Sequence, residues 1–233
     1  MKEEASVHQP RLLPLSLSIS IKIYFIISRK TVNISIAAAI IGSVVPPVTS
    51  LMREAIRKVT GQEALVVNVD MNIGLEVLMD NPSSVGTDLI VGAVAGINRY
   101  PVPLILIDMG TATTICVVNE NKQYIGGMIL PGIGVSMNSL TSRTAQLPRI
   151  SLDPPKRLIG KNTVECMQSG ALYGNASCID GMVDRIEEEL GQKATVVATG
   201  GLARKIIPLC RHQIELDDEL LLRGLWIIYK KNK

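Results

Sequence analysis

The chain has 233 residues, 47% of them hydrophobic and 19% charged, with a formal net charge of +3 at neutral pH. That length and balance suit one large domain or two small packed ones with buried strands, and they exclude a solvated tail. Aromatic residues make up only 3%, so base-stacking platforms for single-stranded nucleic acid are not on offer, and no nucleic-acid partner is expected.

The first apolar segment, 12–28, alternates: Leu15, Leu17, Ile19, Ile21 and Ile23 are separated by Ser16, Ser18, Ser20 and Lys22. This is the period of a strand, and the segment is shorter than the ~20 apolar residues of a spanning helix. Neither signal nor anchor is expected, which makes the protein cytoplasmic with no membrane partner. The Ile- and Ala-rich stretch 32–41 ends at Gly42, Ser43, Val44, Val45, Pro46 and Pro47. Two prolines stop a strand and allow a helix just beyond them, predicted over 49–59 and closed by Thr60 and Gly61. A buried strand over 64–69, a turn at Asp80-Asn81-Pro82 and a helix over 85–98 complete a β-α-β-α run.

The pattern resets near 100–103, giving an expected division into an N-terminal half, 1–100, and a C-terminal half, 101–233. A short strand over 104–107 leads to a hairpin of 113–119 and 124–130 about Glu120-Asn121-Lys122, followed by a helix over 132–145. Asn162 and Glu165, three apart, form a capping box that opens a long helix ending at Leu190 with Gly191 behind it. Its small residues Gly170, Gly174 and Cys178 recur every four positions, which permits close approach of another helix. A strand over 196–198 enters Thr199-Gly200-Gly201, and a last helix over 217–230 is acidic at its start and basic at its end. The whole reads as an α/β enzyme.

Cys116, Cys166, Cys178 and Cys210 are far apart and form no Cys-x-x-Cys pair, so reduced, mostly packed thiols are expected. His8 and His212 have no carboxylate or second histidine at ligand spacing and are expected at the surface.

Three segments carry candidate chemistry. Asp108, Met109, Gly110, Thr111, Ala112, Thr113 and Thr114 follow an apolar strand and enter the hairpin. A carboxylate at a buried strand end is costly unless it meets a cation or donors, Gly110 lets backbone approach a ligand, and Thr111 offers a hydroxyl and an amide to phosphate oxygens. A strand ending in an ordinary Asp-Gly type turn accounts for the same spacing. Gly200 and Gly201 allow approach to a nucleotide, or simply a helix-entry turn. Asp88, after Gly86 and Thr87, falls in the first turns of a helix, where the positive dipole end and a nearby cation could keep it ionised as a proton acceptor; a solvated helix carboxylate fits as well.

Taken in order, these motifs resemble the type III pantothenate kinase family of the acetate and sugar kinase, chaperone and actin superfamily. The match is carried by Ser43 to Pro47; by Asp80, Asn81 and Pro82 with Gly86 and Asp88; and by Asp108 to Thr114. It continues through Gly126, Gly127, Pro131, Gly132 and Ile133; Leu147, Pro148 and Arg149; Ile159 to Glu165 with Gln168, Ser169 and Gly170; and Ala198 to Gly201. The resemblance implies two ribonuclease H-like, actin-like halves with mixed sheets flanked by helices and ATP in the cleft, the first half truncated. It implies transfer of the ATP γ-phosphoryl group to pantothenate, a homodimer that completes the pantothenate site, a potassium or ammonium ion, and Mg2+ with ATP. By matching position Asp88 is the proton acceptor. Met79, Gly86, Thr87, Asp88, Leu89 and Thr163 line the pantothenate site, Gly110, Thr111, Gly200 and Gly201 meet ATP, and Asp108 holds the cation.

The chain also departs from that family. Its opening Asp-x-Gly-Asn-Thr loop has no counterpart between Met1 and Ile34, a stretch with neither Asp nor Gly. Leu89 stands where the family carries Arg, and Met79 where it carries an aromatic residue. Two functions are therefore weighed: an active pantothenate kinase, and a catalytically inactive paralogue serving as a regulatory or dimerisation partner.

Overall fold

The computed structural model describes the backbone of residues 12–17, 21–30 and 33–233, and the side chains from residue 38 onward. Two sheets are separated by helices. The first has the order β1-β2-β3-β4, from Leu12–Leu17, Ile21–Lys30, Asn33–Ser43 and Ala64–Val66. The strands β1 to β3 pair antiparallel and β3 pairs parallel with β4, so the described parts of the alternating segment, 12–17 and 21–28, are strand, as its period predicts. Helix α1, Pro46–Thr60, connects β3 to β4 and ends at the left-handed Gly61. It starts three residues before the predicted Thr49, because Pro46 and Pro47 occupy the first turn, where a missing N–H costs nothing.

After β4 the chain forms a two-residue strand β5, Glu76–Val77, a 3-10 turn at Pro82–Ser84, and helix α2, Thr87–Arg99. The second sheet follows: β6 Leu104–Met109, β7 Ala112–Val118 and β8 Gln123–Pro131. Helix α3 spans Ile133–Ser142 and α4 spans Thr163–Leu190. Strand β9, Thr195–Thr199, the short helix α5, Ala203–Ile206, strand β10, Glu215–Leu216, and helix α6, Leu220–Lys231, complete the chain. The second sheet has the order β10-β9-β6-β7-β8-β5, with β6 parallel to β9 and antiparallel to β7.

Side-chain alternation assigns the layers. In β3, Ala39 and Ile41 pack with Ile56 of α1, while Ile40 joins the core that contains α2 and α6. In β6, Leu104 and Leu106 face that same central core, while Ile105, Ile107 and Met109 face α4. The result is a five-layer stack: α1, first sheet, α2 with α6, second sheet, α4. All five of these β6 side chains are buried, and full burial of one such side chain stabilises by about 1.5–3 kcal/mol. Helices α2 and α6 cross closely because Gly224 has no side chain; a Cβ there would lie 2.0 Å from the Val91 carbonyl oxygen. The start of α4 is capped as the sequence predicts, with the Glu165 amide donating to Asn162 Oδ1 at 2.9 Å. The return bond is displaced by one residue: Glu165 accepts from the Lys161 amide at 3.0 Å.

Candidate active site between the second sheet and helix α2

Asp108 is the penultimate residue of β6 and shares the face of Leu104 and Leu106, toward α2. It is half-buried, whereas its neighbours on both sides along the strand, Ile107 and Met109, are buried against α4. Beyond it the chain turns through exposed Gly110 and Thr111 into β7, with the Gly110 amide donating to the Ala112 carbonyl at 2.9 Å. Gly132, at the end of β8, is packed on the back of this turn: its amide donates to the Thr111 carbonyl at 3.1 Å, and a Cβ would stand 2.2 Å from that oxygen.

Gly200 closes the other side. Its φ of +98° is unfavourable for any residue with a side chain, and a Cβ would lie 2.6 Å from Asp108 Oδ1 and 2.7 Å from the Met109 amide. The glycine thus makes room for the carboxylate. Exposed Gly201 follows it, so Gly110, Thr111, Gly200 and Gly201 lie around the same strand ends as Asp108.

Asp88 comes from helix α2, which packs on this face of the sheet. It lies in the first turn of α2, where unpaired amides and the helix dipole favour a negative charge, and its Oδ1 accepts from the Leu89 amide at 3.0 Å. That turn is tied to the first sheet: the Thr87 hydroxyl donates to the Ser43 carbonyl at 3.1 Å, and Val44 lies against Gly86. The Ser43 to Pro47 segment thereby seats the start of α2. Met79 packs on the central core beside Gly126, with its sulfur 3.8 Å from where a Cβ on Gly126 would stand, and Leu89 packs on the same core.

The thiol of Cys116 in β7 is buried on the same face of the sheet. Its pKa is pushed up to about 12, first by burial and then by the negative charges of Asp88 and Asp108. One side chain is thus within electrostatic reach of both. The Tyr124 hydroxyl on β8 is likewise shifted upward, first by burial and then by Cys116 and Asp88. Neither Cys116 nor Tyr124 was singled out from sequence; the available signal is the strand alternation that places them on the face of Asp108.

The motif order and this geometry meet in the comparisons with known proteins. The type III pantothenate kinase family model matches residues 18–185. A type III pantothenate kinase from Bacillus cytotoxicus is 45% identical over 197 residues, covering 84% of this chain and 75% of that protein. The chain belongs to the type III pantothenate kinase family. Among solved structures, a protein described as a Baf family transcriptional activator from Campylobacter jejuni is 20% identical, with a TM-score of 0.52 over 78% of each chain; that likeness extends to the fold alone.

Thr163 stands apart from the other site residues of the family motif. It is the exposed first residue of α4, which packs on the face of the second sheet opposite α2. There it lines a largely apolar groove of about 530 Å³ between α3 and α4, with Ile133, Met137, Leu140, Cys166 and Met167. Around the groove Val135, Leu140, Leu158, Ile159 and Val164 are exposed.

Two expectations from sequence are corrected by the fold. His212 is half-buried rather than at the surface, its Nε2 2.8 Å from Asp184 Oδ1, and the two share a cluster with Glu187. The fold brings together residues 28 positions apart, which spacing along the chain cannot register. The thiols are reduced, but only Cys116 is fully buried and Cys166 is exposed. His8 lies outside the described residues, as does any structural counterpart of the family's opening loop among residues 1–11. Among the described residues no helix is long and apolar enough to cross a membrane.

Proposed function

We propose that this chain is an ATP-dependent pantothenate kinase in which Asp88 and Asp108 work on the two ends of one phosphoryl transfer. The family membership supports the reaction: the primary hydroxyl oxygen of pantothenate attacks the γ-phosphorus of ATP, the bond from that phosphorus to the β,γ-bridging oxygen breaks, and ADP leaves. The hydroxyl proton passes to Asp88. Positioning and charge neutralisation supply most of the acceleration in such transfers. The observation that supports the assignment is that Asp88, in the first turn of α2, and Asp108, at the end of β6, belong to elements packed on one another across the same face of the second sheet.

Asp108, at a strand end with Gly200 cleared from its carboxylate, suits a hard cation held by oxygen donors. A potassium or ammonium ion there would offset charge gathering on the phosphates, with Mg2+ accompanying ATP. Gly110, Thr111, Gly200 and Gly201 would meet the nucleotide, and Met79, Gly86, Thr87 and Leu89 would line the pantothenate side. Leu89 and Met79 give that side an apolar wall on the central core. The chain divides functionally into halves 1–100 and 101–233 about this site.

The position of Thr163 supports a homodimer. Thr163 and Asp88 lie on helices that cover opposite faces of the second sheet, and the largely apolar α3–α4 groove beside Thr163 offers a surface on which a second copy could sit. The reading as an inactive paralogue rests on sequence departures alone.

The test is a coupled assay of ADP release with ATP, pantothenate and potassium or ammonium, together with light scattering for mass. Pantothenate-dependent ADP release by a dimer is expected. A folded dimer that releases no ADP at saturating substrates would overturn the kinase reading in favour of the regulatory one.

A further inference from the structure

The cation site proposed above rests on Asp108, but sheet register gives that carboxylate two neighbours with no role so far. Asp108 is paired with Thr114 of β7 on one side and with Thr199 of β9 on the other. Directly paired residues on adjacent strands project to the same face, with Cβ atoms about 4.5–5.5 Å apart. Thr199, Asp108 and Thr114 therefore form a row of three oxygen-bearing side chains across three strands, on the face toward α2.

The next row on the same face is apolar and buried, with Leu106 between Val197 and Cys116; in the row beyond it Leu104 pairs with buried Val118 on one side and with half-buried Thr195 at the start of β9 on the other. On the opposite face the strand remains apolar to its last residue, Met109. Threonine is a common strand residue on packing grounds, which explains one such position. It does not explain why three oxygen-bearing side chains stand in register on three adjacent strands at the level where Gly200 leaves space beside the carboxylate.

We propose that Thr114 and Thr199 contribute their hydroxyl oxygens, beside the Asp108 carboxylate, to a cradle for the alkali cation that accompanies ATP. The donor set is entirely oxygen, one anionic and two neutral, as a large, weakly hydrated monovalent ion prefers and a thiophilic metal does not. Asp108 supplies the charge, and the threonines set the width of the cradle and hence the preference among monovalent ions. The proposal depends on the cation role given to Asp108 in the kinase reading.

The experiment is a titration with thallous ion followed by 205Tl NMR, with potassium as competitor, on wild type, Thr114→Val, Thr199→Val, Asp108→Asn and Thr113→Val. Valine keeps the branched shape and removes the oxygen. Thr113 is the matched control, because alternation turns its side chain to the opposite face. Thallous affinity is expected to fall on the order of tenfold in each of the Thr114 and Thr199 variants, as for loss of a supporting ligand contact. It should fall further in Asp108→Asn and stay at the wild-type level in Thr113→Val. Wild-type affinity in Thr114→Val, or no thallous binding by the wild type, overturns the inference. Thr199 is buried, so if Thr199→Val fails to fold, half-exposed Thr114 decides alone. A wild type that binds thallous ion in this pattern yet does not phosphorylate pantothenate would sink the kinase reading and leave the cradle standing.

Discussion

The two faces of the second sheet are built from the same strands and serve different ends. Toward α4, β6 presents Ile105, Ile107 and Met109, apolar to the tip and covered by Ala171, Leu172, Ala176, Ile179 and Val183. Toward α2 it presents Leu104, Leu106 and Asp108, apolar only until the covering helix begins. Helix α2 starts at Thr87 and runs away from the strand ends, so its first turn, rather than its apolar flank, meets the last row of the sheet. One face is finished as core. The other is left open where a helix N-terminus and a strand C-terminus converge, an arrangement that favours anionic ligands and strand-end carboxylates.

The largest effect that can break this comparison is expected at Asp88. Replacement by Asn keeps the volume and the hydrogen bond from the Leu89 amide but removes the carboxylate proposed as proton acceptor, and loss of a positioned base lowers kcat by roughly 10²–10⁴-fold. The melting temperature should be unchanged. Retained turnover would mean that another group takes the proton and that the α2 face does not divide its work as described.

On the other face the expected effect is on stability alone. Ile107 is fully buried against α4, and Ile107→Ala should cost about 2–5 kcal/mol in denaturant unfolding. At temperatures where the variant is folded, KM for ATP and for pantothenate should match the wild type. A selective rise in KM for one substrate would show that the α4 face is coupled to the open face through the strand, contrary to the division of labour drawn from the alternation.

Much of this architecture was legible in the chain, and the exceptions have physical causes. The run 104–107 reads as a buried strand because it is apolar on both faces, and it is buried on both. The 12–28 alternation and the Asn162–Glu165 cap were equally readable, since each is decided by neighbours in sequence. Strands β5 and β10 were not: two residues carry no period, and both exist only because β8 and β9 offer an edge to pair with. The early start of α1 was missed because a proline that ends a strand is also an acceptable first residue of a helix. Within the candidate site, Asp88 and Asp108 were recognisable as carboxylates in unusual local settings. That both lie within electrostatic reach of one buried thiol was not, because the place of Cys116 depends on the register of β6 with β7.

The smallest predicted effect concerns Glu187, a buried carboxylate on the α4 face. Burial works to raise its pKa, but the Lys193 ammonium at 2.6 Å and the Ala194 amide at 3.1 Å outweigh that cost and hold it below the ordinary value of 4.5. A depressed folded-state pKa contributes stability that is fully present above about pH 4.5 and is lost as pH falls through the folded value. Because Lys193 is largely exposed, the contribution is discounted for solvent screening to about 1–2 kcal/mol. Glu187→Gln should therefore melt a few degrees below wild type at pH 7, and the two melting temperatures should converge as the pH falls through the lowered pKa of the folded state. Pantothenate and ATP parameters should not move, because this carboxylate ties α4 to the start of β9 and looks away from the open face. A melting gap that persists unchanged into acid would mean that Glu187 stabilises through packing and neutral hydrogen bonds, and that its charge is incidental.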